Sequence, residues 1–391
     1  MEKIFENYAA TETNPKWMNM ISREYPLYSR NNDIRSPFER DYTRIIHSLA
    51  YRRLKHKTQV FFSPKNDHIC TRIEHVIHVE SVSYTIAKTL GLNYELTKAI
   101  ASGHDTGHSP FGHQGEKILS ELSVRDIGER FWHEKNGLEM VDMFELLEDP
   151  NGNLQNMNLT YAVRDGIISH CGEIDENALR PRSEYIDLRE YQKPNQYAPY
   201  TWEACVVKVS DKISYLGRDI ADAVTLGILN GHLDDLRKLL GYYEIINNTV
   251  LINDLIFDLC TNSSPEKGLC FSSKMFELVN EIKRFNYKNI YLREKLVEAT
   301  KFFELVLKSI YEFLKKSYKN REEMRKIAPE LLADFENWLK NYWSMERYPF
   351  NKNKVVFDAD DEKDNYRAII YYISGMTDNY AVEMYNKIIR F

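Results

Sequence analysis

Residues that interrupt regular backbone are scarce in this chain, and this scarcity limits the folds open to it. Glycine and proline occur 16 and 12 times, together 28 of 391 residues, which is about 7% against an average near 12%. Sandwiches and barrels of short strands need a turn every 8–12 residues or so. We therefore expect an all-α fold with at most a short β-hairpin.

The charge balance and the cysteines exclude several classes of protein. Lys and Arg number 52 against 58 Asp and Glu, a net charge of −6, whereas dedicated nucleic-acid-binding proteins are usually basic. A polyanionic ligand is therefore expected to meet a local cluster of cations. The five cysteines form no CxxC pair, which is typical of reduced thiols in the cytoplasm. No signal peptide or membrane span is recognisable, so we expect a cytoplasmic protein without membrane association.

Hydrophobic periodicity predicts where the helices lie. Apolar residues recur at three- and four-residue spacing over 40–54, and a long helix is expected from Thr71 to Gly91, where glycine suits a helix C-cap. The other predicted helices begin near 93, continue to about 180 with breaks at Asp149–Gly152 and Gly172, and cover 201–225, 232–247 and the amphipathic 296–343.

Three segments are predicted to be irregular or extended. Residues 1–35 are polar and contain Asn-Pro and Tyr-Pro pairs, which indicate a loosely ordered N-terminal segment. Residues 57–70 resemble a short extended hairpin with its turn at Pro64–Asp67. Residues 181–199 contain three prolines and are expected to form a loop or lid.

The densest chemistry lies in the histidines, seven of which fall between residues 68 and 133. In the adjacent pair His104-Asp105, an imidazole and a carboxylate can share one cation, and this donor set suits Mn, Fe, Zn or Ni and tolerates Mg. His75 on the upstream helix and Asp211 after an apolar stretch complete a candidate set of four ligands. Taken alone, a His-Asp dipeptide is usually chance, and Asp211 could serve as an N-cap or in a salt bridge.

Longer strings carry a resemblance to a known family. There are five such segments: RDYTRIIHSLAYRRLKHKTQVF, TRIEHVIHV, HDTGHSPFGHQGE, VSDKISYLGRDIADAV and SGMTDNYA. In this order they resemble segments of the HD-domain deoxynucleoside triphosphate triphosphohydrolases, the dGTPases. The match covers roughly 36–225 and 374–381. It implies an N-terminal segment (1–35), an HD helical bundle (36–225) and additional C-terminal helices (226–391) that contribute to the substrate pocket and oligomer contacts. It also implies one divalent ion per site, held by His75, His104, Asp105 and Asp211.

The resemblance further implies catalytic roles for His108, His113 and Glu116. Because His113 and Glu116 are three residues apart, they share a helix face and can hydrogen-bond. Such a pair is a proton carrier whose tautomer is fixed by a carboxylate. His133, followed by Glu134, is similar to a phosphate-facing histidine of the family, and its alternative is a surface position on an acidic helix.

Two cations of the matched segments are expected to meet the substrate phosphates. Lys212 follows the ligand Asp211, and Arg72 lies one turn before His75. For both residues the alternative is a solvated or salt-bridged charge on a helix.

Five further residues are implied to surround the nucleoside. Tyr215 and Asp219 match residues that cradle the deoxyribose and its 3′-hydroxyl, and Gln59 matches a glutamine that holds the same hydroxyl. Val60 falls where an apolar side chain crowds the 2′ position, so a 2′-hydroxyl there would lose water without gaining a partner, at about 1–3 kcal/mol. Tyr380 is a candidate for the nucleoside pocket, with a core or surface position as its alternative.

The function implied is hydrolysis of a dNTP to the deoxynucleoside and inorganic triphosphate. The alternatives are an HD-type 5′-nucleotidase or cyclic-nucleotide phosphodiesterase, and a nucleotide-sensing or single-stranded nucleic-acid-binding protein with a regulatory metal site. The expected partners are the dNTP substrate, a dNTP effector, further copies of the chain in a tetramer or hexamer, and weakly bound single-stranded nucleic acid.

Overall fold

The computed structural model describes residues 2–28, 33–62, 66–171, 177–241, 248–345 and 347–390. Within these residues helices dominate, and the strands are limited to β1, Leu146–Glu148, and β2, Leu154–Asn156, which pair antiparallel. The prediction of an all-α fold with at most a short hairpin is therefore confirmed.

The helices are joined by short connections, and several continue into a turn of 3-10 or π-helix. The α-helices are α1 (Trp17–Met20), α2 (Pro37–His47), α3 (Leu49–Arg53), α4 (Arg72–Leu90), α5 (Tyr94–Gly103), α6 (Gly112–Asp126), α7 (His133–Glu139), α8 (Tyr161–Ser169), α9 (Trp202–Thr225), α10 (Leu233–Leu240), α11 (Asn248–Asn262), α12 (Ser273–Asn286), α13 (Glu294–Lys319), α14 (Arg321–Ile327), α15 (Pro329–Leu339), α16 (Glu362–Ser374) and α17 (Asp378–Ile389). The 3-10 and π-helical segments are Glu6–Tyr8, Leu54–His56, His104–Gly107, Met140–Phe144, Leu188–Glu190 and Tyr287–Tyr291.

Local capping signals fix the helices that carry the site. A capping box between Thr71 and Glu74 starts α4, and Gly91, in the left-handed region at φ 85°, ends it. The side chain of Asn93 accepts the free N–H groups at the start of α5. The chain then leaves α5 directly into the 3-10 turn His104–Gly107. These caps set the positions along the chain at which the site residues emerge.

Three clusters of buried apolar side chains surround the central helices. α4, α5 and α9 pack against one another. The first cluster joins α4 and α9 to α10–α12, the second joins α2, α5 and α8, and the third joins α6 to α13–α17. The C-terminal helices thus pack on the helices that hold the site. The chain division at residues 35 and 225 stays a prediction.

One close approach of backbone to backbone locates the His-Asp turn. A Cβ built on Gly107 would lie 2.1 Å from the backbone nitrogen of Gly137 and 2.1 Å from the carbonyl oxygen of His133. Any side chain at Gly107 would therefore push the turn away from α7. Asn136 of α7 closes the same contact by donating to the carbonyl of Gly107 at 2.6 Å.

The hairpin predicted over 57–70 is wrong. The described residues of this segment form no strand and share only one bridge, between Thr58 and Thr71. Tertiary contacts hold the segment instead: the buried ammonium of Lys57 donates to the carbonyls of His108 and Ser374. The hairpin lies at Leu146–Asn156, where a broken helix was expected.

Parts of some predicted segments lie outside the described residues. These are Met1 and residues 29–32 of the N-terminal segment, residues 63–65 of the predicted hairpin with Pro64 and Lys65 of its turn, residues 172–176 with the expected break at Gly172, and residues 242–247 of the helix predicted over 232–247. The predicted loop 181–199 is irregular apart from Leu188–Glu190, and Arg182 anchors it through an ion pair with buried Asp165.

The interpretation of residues 1–35 as loosely ordered is wrong for the described part of that segment. Phe5 is fully buried and packs edge-on against Trp202, with ring centroids 4.8 Å apart. The backbone N–H of Ala10 donates to buried Glu203 at 2.8 Å, and the same carboxyl oxygen accepts from Asn93 N–H at 2.9 Å. A single carboxyl group thus ties the N-terminal segment to the α4–α5 junction and α9.

The carboxyl of Glu203 generates a testable prediction. Burial raises its pKa to about 6 from a usual 4.5, so the folded state favours the protonated form of this carboxyl group. The contribution of this carboxyl group to stability is then greatest below pH 4.5 and is lost as pH rises through 6. Glu203→Gln keeps an acceptor but carries no charge. We expect the free energy of unfolding of this variant to exceed that of the wild type by about 2 kcal/mol at pH 8 and by less than about 1 kcal/mol at pH 5.

Urea unfolding at the two pH values measures this difference. Glu12→Gln, at an exposed position of the same N-terminal segment, is the matched control and should follow the wild type at both. An equal difference between Glu203→Gln and the wild type at pH 5 and pH 8 would contradict the assignment.

Candidate metal centre and active site

Four side chains from three separate elements converge at the centre of the molecule. Nε2 of His75, on α4, lies 3.0 Å from Oδ1 of Asp211 on α9. Nε2 of His104 lies 4.0 Å from the same oxygen and 3.6 Å from Oδ1 of Asp105. Nε2 of His75 lies 4.0 Å from Oδ2 of Asp105. The structure thus brings together all four ligands that the sequence predicts.

The spacing and chemistry of these atoms fit a divalent cation. With metal–ligand bonds of about 2.1 Å, neighbouring octahedral ligands lie about 3 Å apart and opposite ones about 4 Å. Nε2 of His104 is buried and has no hydrogen-bond partner among the described residues, as expected of an atom reserved for a metal. Nδ1 of His104 donates to the carbonyl of Ala101 at 2.6 Å, which fixes the tautomer that leaves Nε2 free.

The two carboxylates of the set are held in their charged form. Burial opposes ionisation of Asp105, but His108, His104 and Arg72 outweigh it and lower its pKa well below the usual range. Burial likewise opposes ionisation of Asp211, and its contact with His75 lowers the pKa. Deprotonated carboxylates are what a cation requires.

The predicted catalytic residues form a second group beside Asp105. Oε2 of Glu116, on α6, lies 3.4 Å from Nδ1 of His113 and 3.0 Å from Nδ1 of His133. The rings of His108 and His133 are 3.9 Å apart, and Nδ1 of His108 lies 3.0 Å from Oδ1 of Asp105. The four residues therefore form one continuous patch that reaches the candidate metal ligands.

Exposure and charge differ within this patch. The His113 side chain is 67% exposed, so it can meet a ligand, whereas His133 is 8% exposed, which excludes the alternative of a surface position. Burial would lower the pKa of His133, but Glu134 and Glu116 raise it to about 10. Burial would raise the pKa of Glu116, yet His133 and His113 lower it.

Both predicted phosphate-binding cations lie in the interior. Arg72 is 2% exposed, and its Nη1 donates to Oδ2 of Asp105 at 2.9 Å. The alternative of a salt-bridged arginine therefore holds, but the partner is one of the four metal-ligand candidates. Lys212 is 6% exposed, with its ammonium 5.9 Å from the ring of Phe276. Neither residue is a solvated surface charge.

The predicted sugar-binding residues lie along α9 and the segment before α4. Oε1 of Gln59 is buried without a hydrogen-bond partner among the described residues. Val60 and Tyr215 pack against the same apolar cluster. Asp219 is 3% exposed, and burial raises its pKa to about 7. The unsatisfied amide oxygen of Gln59 is typical of a group that a ligand completes.

Tyr380 lies apart from these residues. Its hydroxyl donates to Asp334 at 2.9 Å and lies 3.2 Å from that of Tyr372. It lines a cavity of about 560 Å³ together with Arg53 and Glu145, and the lining includes none of the other predicted site residues. Its place in a nucleoside pocket stays a prediction.

Two residues beside the site were missed by the sequence reasoning. Tyr291 donates its hydroxyl to Oδ2 of Asp219 at 2.5 Å from a π-helical turn 72 residues further along the chain. His170, at the end of α8, lies with its ring 5.0 Å from that of His104. No motif marks Tyr291. The available signal for His170 was its position just before a predicted helix break. It resembles in this respect His104, which follows the end of α5.

Comparisons with known proteins agree with this geometry. Residues 72–216 match the HD domain, and residues 269–387 match the phosphohydrolase-associated domain. The first match contains all four candidate metal ligands. No helix in the described part of the chain is long and apolar enough to cross a membrane.

Relatives align over nearly the whole chain. The deoxyguanosinetriphosphate triphosphohydrolase-like protein of Caldanaerobacter subterraneus subsp. tengcongensis is 32% identical over 91% of this chain and 86% of its own length. The proteins of the same name from Rickettsia prowazekii and Rickettsia bellii are 30% and 31% identical, over 94% of both chains in each case. The chain therefore belongs to the family of HD-domain deoxynucleoside triphosphate triphosphohydrolases, as its motifs indicated, and is a phosphohydrolase of the HD type.

Proposed function

We propose that the chain hydrolyses a deoxynucleoside triphosphate to the deoxynucleoside and inorganic triphosphate. The observation that carries the proposal is the continuity between the four-ligand set and the His113–Glu116 pair, joined through Asp105 and His108. Relatives over most of the chain's length bear the name of a deoxyguanosinetriphosphate triphosphohydrolase-like protein, which supports the same substrate class.

A divalent cation held by His75, His104, Asp105 and Asp211 would polarise a phosphoryl oxygen and acidify a water molecule. Such a set is suited to Mn, Fe, Ni or Zn and tolerates Mg. Side chains of the protein itself bind the phosphates and transfer the proton. Arg72 is fixed beside Asp105 and offsets the charge on the phosphates, together with Lys212.

Proton transfer to the leaving group falls to His113. The departing 5′-oxygen would otherwise leave as an alkoxide with a pKa far above neutral, so an acid is needed. Glu116 accepts from Nδ1 of His113, which directs Nε2 outward to the substrate. The pair opens on a groove of about 650 Å³ that also contains Lys117 and Arg130, and these cations suit a polyphosphate. His133, held by the same carboxylate, adds positive charge on the phosphate side.

Recognition of the sugar falls to four residues of the segment before α4 and of α9: Gln59, Val60, Tyr215 and Asp219. Gln59 offers its unsatisfied amide oxygen to the 3′-hydroxyl, and Asp219 can accept or donate because its pKa is raised to about 7. Val60 and Tyr215 supply the apolar wall against which a 2′-hydroxyl would lose its water. Assembly into a homo-oligomer and regulation by a dNTP effector stay predictions.

Product analysis tests the proposed reaction. The protein is incubated with each of the four dNTPs and with GTP, one divalent metal at a time, and the products are separated by ion exchange. We expect triphosphate and deoxynucleoside in equal amounts, and GTP turnover about 10- to 100-fold slower because of the unsatisfied 2′-hydroxyl. Release of monophosphate would indicate a 5′-nucleotidase, hydrolysis of a cyclic nucleotide a phosphodiesterase, and nucleotide binding without turnover a sensor. Any of these results in place of triphosphate overturns the proposal.

Replacing one ligand tests the proposed metal centre. Asp211→Ala removes an oxygen shared by both imidazoles, and we expect bound metal and triphosphate release to be lost together. Metal content per chain is measured by mass spectrometry of the folded protein. Asp234→Ala, at a side chain that is 86% exposed, is the control and should retain both. An active Asp211→Ala protein free of metal would refute the ligand assignment.

His113→Ala tests the proton donor. Because His113 acts on the leaving group, we expect unchanged metal content and nucleotide affinity with kcat lower by about 10²- to 10⁴-fold. Single-turnover kinetics and nucleotide binding separate these effects. His68→Ala, at an exposed histidine, should leave kcat unchanged. Full turnover by His113→Ala would remove this residue from the mechanism.

A further inference from the structure

A single buried carboxylate of the last helix contacts two segments that carry proposed substrate-binding and catalytic residues. Asp378, the first residue of α17, is 5% exposed. Its Oδ2 accepts from the backbone N–H of Thr58 at 2.9 Å and from the hydroxyl of the same residue. Its Oδ1 accepts from the backbone N–H of Phe111 at 2.9 Å. The two partners lie 320 and 267 positions away along the chain, so only the tertiary fold brings them to this carboxylate.

Each partner lies next to a group of the proposed reaction. Thr58 directly precedes Gln59, the proposed contact of the 3′-hydroxyl, and Phe111 lies two residues before His113, the proposed proton donor. The two segments also approach each other directly, because a Cβ built on Gly112 would lie 3.6 Å from the carbonyl oxygen of Gln59. The carboxylate therefore joins the sugar-binding segment to the start of α6.

The backbone at the start of α6 depends on contacts from outside the helix. Phe111 has φ 63° and Gly112 has φ 59°, and a residue with a side chain adopts this left-handed conformation only where its surroundings impose it. Phe111 is the N-cap residue of α6, and its side chain makes no capping hydrogen bond. Its ring stacks on that of Phe303 with centroids 4.4 Å apart, and its N–H is held by Asp378. Removing the carboxylate leaves this N–H without its acceptor and releases the turn that leads to His113.

The carboxylate of Asp378 has another possible role, at the start of its own helix. Acidic residues are common at helix N-termini because the helix dipole favours them there. In α17, however, the capping acceptor is the side chain of Thr377. In the described part of the chain, the hydrogen bonds of the Asp378 carboxylate all go to Thr58 and Phe111. Its contacts thus serve the two distant segments.

The junction between α16 and α17 holds the same two segments at a second point. The ammonium of Lys57, which is 3% exposed, donates to the carbonyl of His108 and to that of Ser374 at 2.9 Å for the latter. Ser374 and Asp378 lie in the part of the chain that matches the phosphohydrolase-associated domain, and His108 lies in the part that matches the HD domain. The C-terminal helices therefore hold both segments from one side.

We propose that Asp378 is a positioning residue that fixes the sugar-binding segment and the start of α6 relative to each other. Through Thr58 it places Gln59 on the 3′-hydroxyl, and through Phe111 it directs His113 to the departing 5′-oxygen. Recognition of the sugar and delivery of the proton are thereby coupled through one carboxylate that does not itself touch the substrate. This inference rests on the proposed hydrolysis of a dNTP.

The test compares Asp378→Ala with Glu383→Ala, which removes an exposed carboxylate from the same helix. Hydrogen exchange followed by mass spectrometry, without nucleotide, should show faster amide exchange over residues 57–62 and 108–113 in Asp378→Ala alone. With the dNTP that the wild type hydrolyses fastest, we expect kcat of Asp378→Ala to be about 10- to 100-fold lower. Preference for this dNTP over its 3′-deoxy analogue should fall to that of Gln59→Ala, and combining the two substitutions should lower it no further.

A substrate with sulfur in place of the bridging 5′-oxygen tests the link to His113. Attack of water on the α-phosphorus then breaks the P–S bond, and the sulfur leaves with the electron pair as a thiolate. Because the pKa of a thiol is about 8.5, this leaving group needs no proton donor. We expect Asp378→Ala to hydrolyse the sulfur analogue within about threefold of the wild-type rate. A general loss of structure would lower both rates alike.

Three outcomes overturn the inference: unchanged hydrogen exchange in both segments, equal loss of turnover with the oxygen and sulfur substrates, and an undiminished preference for the 3′-hydroxyl. If Asp378→Ala does not fold, Asp378→Asn, which keeps the shape and one acceptor oxygen, is measured in the same way with smaller changes expected. Wild-type protein that releases no triphosphate, or His113→Ala with full turnover, contradicts the proposed function instead. The exchange measurement uses no nucleotide, so the two failures are distinguishable.

Discussion

The carboxylate of Asp105 is the interaction on which the site depends. It meets Arg72 from α4, the two histidines of its own turn and the imidazole of His75, and it does so in the interior, where an unpaired carboxylate is costly. Arg72 and His75 belong to α4, whereas His104 and His108 belong to the turn after α5 and to the residue that follows it, so the carboxylate is fully paired only when α4 packs against this turn. Packing of α4 beside α5 and assembly of this part of the candidate site therefore go together.

Much of the fold follows from local signals in the chain. The capping residues of α4 and α5 and the long apolar pattern of α9 are encoded within a few residues of where they act, so their helices could be predicted closely. The prediction of a hairpin over 57–70 was wrong because an extended, turn-rich sequence is compatible with several structures. The conformation of this segment is set by contacts of Lys57 and Thr58 with residues more than 300 positions away, and no local pattern contains these contacts.

The candidate site likewise divides into residues that sequence motifs reveal and residues that only tertiary packing brings into place. The proposed ligands His75, His104, Asp105 and Asp211 lie in motifs that a family resemblance makes visible, and the structure brings their side chains together. His170 and Tyr291 have no motif, because their positions beside the candidate site arise only from the packing of α8 and of the turn after α12 against the centre. The placement of Tyr380 was inferred from a short string alone, and the structure locates its ring among the C-terminal helices.

Contacts from the C-terminal half reach into the centre at several points. Asp378 accepts from the backbone N–H groups of Thr58 and Phe111, each at 2.9 Å, and Ser374 provides a carbonyl to the Lys57 ammonium. A fragment that ended after α9 would keep every proposed metal ligand and yet lose the carboxylate that accepts from the Thr58 and Phe111 amides and one of the two carbonyls that accept from the Lys57 ammonium. The half of the molecule that carries the candidate ligands is therefore not a module that can be cut out and transplanted intact.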